Sequence, residues 1–172
     1  PDIPSYRLAW CVGSEPFSRC ERLICMSTHA MDKMVLPEMY KDHPEYFPLV
    51  GGTRVAPGDP NRPWNPCMSN PDLPELFRAY AKRFFEKEPD ALGIPMGVND
   101  GGGDCNCEGC RTIFEKHGNQ YVEFYNMAAR ILAQEHPGKL LAFIGYSRRC
   151  GKAPADGYQM EPNILVEVTG NV

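Results

Sequence analysis

The sequence predicts an α/β fold whose parallel strands build an incomplete (β/α) barrel of roughly five or six strands. Three observations carry this reading. Strand-like apolar runs alternate with helical patterns along the chain, as parallel strands joined by crossover helices do. Residues capable of chemistry fall where those strands end, a placement shared by barrels and open doubly wound sheets. Neither a Gly-x-Gly-x-x-Gly fingerprint after a strand nor a Walker-type loop is present, which favours the barrel. At 172 residues the chain is shorter than a whole barrel of about 250. Residues 1–172 are therefore expected to be a single partial-barrel domain, excised from a longer chain.

Taken in order, Tyr6 to Val12 and Arg22 to Thr28 are short apolar strands, the second leading directly into His29. Leu36 to Phe47 reads as a helix or irregular turn, interrupted at His43-Pro44. Leu49 to Val55 carries Gly51-Gly52 between two short arms and predicts a β-hairpin. Ala56 to Pro66 is a Pro-, Gly- and Asn-rich loop, of a length that usually serves function. Asn70 caps and Pro71 opens the strongest helix, with Leu73, Leu76, Phe77, Tyr80, Ala81 and Phe84 on one face. Pro89-Asp90 ends it, and Ala91 to Val98 follows as a buried strand. A second helix, about Gln120 to Glu135, turns Tyr121, Phe124, Tyr125, Ala128, Ile131 and Leu132 inward and stops at His136-Pro137-Gly138. Leu140 to Tyr146 and Ile164 to Val168 are the remaining strands.

Composition narrows the function classes. Lys and Arg number 18 against 22 Asp and Glu, and without a basic stripe nucleic-acid binding has no electrostatic footing. Every apolar run is shorter than a bilayer span, so no membrane-crossing helix is expected. Eight cysteines are too unevenly spaced for a small disulfide scaffold. Cys105, Cys107 and Cys110 cluster, while Cys11, Cys20, Cys25, Cys67 and Cys150 scatter. Cys25, inside an apolar run, reads as a small buried hydrophobe. An extracytoplasmic setting, secreted or periplasmic, is favoured over a cytoplasmic one.

The richest stretch is Gly97 to Cys110, where the apolar strand halts at Asn99-Asp100, three glycines follow, and then Cys105-x-Cys107-x-x-Cys110 opens a helical pattern. Glycines there let backbone approach a ligand or adopt positive φ. Five motifs occur in order: His43-Pro44-Glu45-Tyr46-Phe47-Pro48-Leu49-Val50, Gly52-Thr53-Arg54, Cys67-Met68-Ser69-Asn70-Pro71, Asn99-Asp100-Gly101-Gly102 and the cysteine cluster. Together with Asn163-Ile164-Leu165-Val166 they resemble a bacterial domain-of-unknown-function family grouped with the TIM-barrel glycoside hydrolases and related to α-glucuronidases. The resemblance spans about Thr28 to Val168. It implies a glycosidase-type barrel and a carbohydrate partner, a polysaccharide or a uronic-acid-containing glycan, often for an exported protein.

On that footing, Asp100 at its strand end is the candidate catalytic acid/base, with Glu167 as the second carboxylate that glycoside hydrolysis needs. Asp100 reads equally as a turn-holding residue, and Glu167 as a salt-bridged structural acid. Glu161 and Asp156 are surface-loop alternatives. Asn99 and His29 are candidate sugar contacts. Trp64, in a polar loop, is a stacking platform, as is Tyr146, with Arg148 and Arg149 placed for an acidic sugar. The rival to hydrolysis is a non-catalytic glycan-binding or scaffold domain with a Cys-clamped loop. Neither needs a cofactor beyond a structural zinc. Cys67, Cys105, Cys107 and Cys110 supply four thiolates for a tetrahedral zinc, or else close the loop with one or two disulfides. Redox catalysis lacks a thioredoxin-like context. In both structural readings the sulfurs converge and clamp the loop that carries Asp100.

Overall fold

The computed structural model describes residues 7–8, 29–58, 64–100, 103–145, 152–155 and 157–168. The elements are β1 (Arg7–Leu8), α1 (Met31–Met34), two 3-10 turns (Pro37–Lys41 and Pro44–Tyr46), β2 (Leu49–Val50), β3 (Thr53–Arg54) and α2 (Leu73–Lys87). β4 (Gly93–Pro95), α3 (Glu108–His117), α4 (Val122–Glu135), β5 (Leu140–Gly145) and β6 (Ile164–Val168) follow. The strand expected over Arg22 to Thr28 and most of that over Tyr6 to Val12 lie outside the described residues.

The main sheet has the order β1-β6-β5-β4, all parallel. His29 extends it through a parallel bridge to Gly97, just past β4. This corrects the barrel. Among the described residues the sheet does not close. Among the described strands β1 lies beside β6, Arg7 opposite Leu165.

Burial explains why the helices sit where they do. α2 turns Leu73, Phe77, Tyr80, Ala81 and Phe85 inward, one stripe at helical spacing. Asp72 takes the N-cap position and Pro74 the first turn, while Asn70 Oδ1 accepts the Asp72 N–H at 2.8 Å. Asn70 thus shapes the turn before the helix rather than capping it. α2 packs on α4 with Phe77 edge-on to Phe124, ring centres 6.1 Å apart. α4 covers the sheet, Tyr125 stacking on Phe143 of β5 at 3.8 Å. Alternation along β5 and β6 puts Ala142 and Leu165 in a separate small cluster, and Glu167 shares Leu165's side.

Two glycine positions fix the geometry around the site. Gly51 and Gly52 have φ of 59° and 83°, the pair of positive values that a two-residue hairpin turn requires. Gly93 lets β4 and β5 meet: a Cβ there would stand 2.3 Å from the Leu140 carbonyl oxygen.

Candidate metal centre and strand-end site

Four sulfurs meet between three elements. Cys67 arrives from the loop before α2, Cys105 from the loop after β4, and Cys107 and Cys110 from the N-cap and first turn of α3. All four sulfur atoms lie within 4.8 Å of one another. Cys67 is 3.6 Å from Cys107 and 3.8 Å from Cys110. A tetrahedron with bonds of about 2.3 Å has edges of about 3.8 Å, so the spacing suits one four-coordinate ion. The four cysteines are free thiols here, at separations well beyond a disulfide bond.

The surroundings are built for sulfur. Ser69 Oγ lies 3.2 Å from Cys107 Sγ and 3.5 Å from both Cys67 and Cys110. Gly109 makes room for it, since a Cβ at 109 would meet Ser69 Cβ and Oγ at 2.6 Å. The Leu49 N–H donates to Cys105 Sγ at 3.3 Å, and Arg54 Nη1 reaches the same sulfur at 3.8 Å. Hydrogen bonds from Cys105 and Cys110 hold the Cys67 thiol far below its ordinary range against burial, with help from Ser69 and Arg54. At Cys105 the bond with Cys110 lowers the thiol, but bonding to Cys67 and burial prevail and push it up to about 11. Cys110 is driven well up by Cys105, Cys67 and burial. A bound cation would favour all four as thiolates, since metal binding displaces the ligands' protons.

A second network holds the other end of the loop. Asn65 is buried; its Oδ1 accepts the Asn99 N–H at 2.7 Å, and its Nδ2 donates to the Asn99 carbonyl and to Asp104 Oδ1. Asn99 Nδ2 donates to the Trp64 carbonyl at 2.9 Å. The buried Tyr121 hydroxyl donates to Asp104; burial first, then the Asp104 charge, push that phenol well above its ordinary value.

Between these anchors the strand ends present a pair. His29 Nδ1 faces the Val98 carbonyl, which only accepts, so that nitrogen carries hydrogen. His29 Nε2 lies 3.1 Å from Asp100 Oδ2, with side chains 41% and 70% exposed. Asn99, Asp100 and His29 are thus brought together. Glu167 stands half-buried on β6, in register with Ile144. That is two strands from β4, about 10 Å across the sheet. Trp64 is 8% exposed and packs on Phe47 at 4.8 Å, which puts its ring in the core. Glu161 accepts from Arg130 at 2.6 Å. Tyr146, Arg148, Arg149 and Asp156 lie outside the described residues.

Sequence reasoning passed over Ser69, Arg54, Asn65, Asp104 as a half-buried acceptor, and Tyr121 as its donor. Ser69 had a signal, two residues after Cys67. Asn65 had none, because its partners come from a loop 34 residues away.

The family model described as a domain of unknown function, DUF4838, matches residues 9–170. The chain belongs to this family. No curated protein and no solved structure matches the chain. The glycosidase-type TIM barrel is overturned by the sheet, which is not closed among the described residues, and the glycoside hydrolase class loses the fold on which it rested. Among the described residues no helix is long and apolar enough to cross a membrane.

Proposed function

We propose that this domain is a zinc-organised binding module. One zinc ion held by Cys67, Cys105, Cys107 and Cys110 fastens the loop that sets Asn99 and Asp100 beside His29. That exposed polar face binds a hydroxyl-rich ligand, a glycan. The observation that supports the metal is the convergence of four sulfurs from segments about forty residues apart, at tetrahedral spacing. The donor set is soft and closed, which selects zinc in a structural rather than a catalytic role. No open coordination position is left for substrate. The ligand class is supported by the exposed Asp100 carboxylate beside the half-exposed His29 imidazole, a polar pair suited to vicinal hydroxyls.

Elemental analysis with thiol titration tests the centre, and a glycan array tests the ligand. One zinc per chain with these four thiols protected is expected, as is glycan binding that is lost in Asp100→Asn and His29→Ala. Metal-free protein with four titratable thiols overturns the centre. Zinc-loaded protein that binds no glycan overturns the ligand class alone.

A further inference from the structure

The β2–β3 hairpin does more than cross the surface near the cysteines. It is stitched to Cys105 and to the residue after it. The Leu49 N–H donates to Cys105 Sγ at 3.3 Å, and the Leu49 carbonyl accepts the Asn106 N–H at 2.8 Å. Across the hairpin, Arg54 is the residue paired with Leu49. Its Nη1 spans from the Phe47 carbonyl, at 2.6 Å, to Cys105 Sγ, at 3.8 Å. The Tyr40 hydroxyl donates to the Arg54 carbonyl at 3.0 Å and fixes the residue's backbone.

Electrostatics gives this placement a purpose. Four thiolates around a divalent ion leave a net double negative charge. Burying such charge is costly unless a partner offsets it. Arg54 brings a cation to the cluster. A guanidinium is suited to the task because it stays charged and its Nη1 serves the carbonyl and the sulfur together.

We infer that Arg54 is a positioning residue of the metal centre: it offsets the thiolate charge and shields Cys105, so that metal retention and hairpin docking are one event. This rests on the tetrathiolate reading. Groups that orient and neutralise metal ligands commonly change affinity by about 10–100-fold when removed.

The test uses the zinc-loaded chain and its variants Arg54→Met and Arg54→Lys. Zinc release to a chromophoric chelator and iodoacetamide labelling mapped by mass spectrometry are followed together. Arg54→Met is expected to release zinc about 10–100-fold faster, with labelling appearing first at Cys105 while Cys110 stays protected. Arg54→Lys, which keeps the charge but not the Nη1 position, falls between. Cobalt(II) substitution adds a readout free of chelator: the thiolate-to-metal charge-transfer band shifts in Arg54→Met if the cation acts on the sulfurs. Wild-type release rates and an unshifted band in folded, metal-loaded Arg54→Met overturn the inference and leave the zinc centre standing. A wild-type chain that binds no zinc overturns both.

Discussion

The segment from Asn99 to Cys110 is held at its two ends by different chemistry. At the Asn99–Asp104 end, Asn65 bonds Asn99 and Asp104, Tyr121 donates to Asp104, and Asn99 donates to the Trp64 carbonyl. At the Cys105–Cys110 end, four thiols crowd together, with the Cys67 thiol held low and the Cys105 and Cys110 thiols pushed up. The first network is built from protein groups alone. The second is the site proposed for zinc. On that proposal the loop has one anchor independent of metal and one dependent on it, so the two ends should come apart under different treatments.

The largest effect is expected from Cys110→Ser, which removes a fully buried ligand. It should abolish zinc binding and lower Tm by about 10 °C, the equivalent of roughly 3–5 kcal/mol in a domain of this size; calorimetry with metal analysis checks both. Gly109→Ala should cost about 1–3 kcal/mol, because its Cβ displaces Ser69 from the sulfurs. A denaturation midpoint at the wild-type value would mean the helix start tolerates the shift. Tyr121→Phe strikes the opposite anchor, leaving Asp104 short of a donor, and should cost about 1–3 kcal/mol while zinc content stays at wild type. Loss of zinc in that variant would show that the two anchors are one.

The smallest effect concerns neither anchor but the corner where α3 meets α4. Glu123 accepts from His117 at 2.8 Å and from Lys116 at 3.2 Å. Burial raises the Glu123 carboxyl, but these bonds outweigh it and hold it below its usual 4.5. Its folded value is depressed, so its stabilisation is fully present above 4.5 and fades as pH falls through the lower folded value. The stability-versus-pH curve of Glu123→Gln should therefore converge on wild type at acid pH. Parallel curves down to pH 3 would remove the carboxylate from the account.

Much of this architecture was legible in the chain. Helical spacing found the inward faces of α2 and α4, alternation found β6, and Gly51-Gly52 found the hairpin. The meeting of Cys67 with the downstream cluster followed from the demand for four ligands. Strand order was not legible, because periodicity assigns a face to a strand but no neighbour. Pairing Arg7 with Leu165 is a contact between chain ends that no local pattern encodes. Trp64 misled because its sequence neighbours are polar, whereas its neighbour in space is Phe47. Arg54 stood inside a quoted motif without a role. Its function depends on which sulfur the hairpin meets, and only the fold brings the two together.

The central claim is a single ion in an all-sulfur shell. X-ray absorption at the zinc edge of the purified, metal-loaded chain measures that shell directly. The account predicts four sulfur scatterers at about 2.3 Å and none lighter. A shell containing nitrogen or oxygen, or zinc bound with any of these four cysteines still free to alkylate, would contradict it.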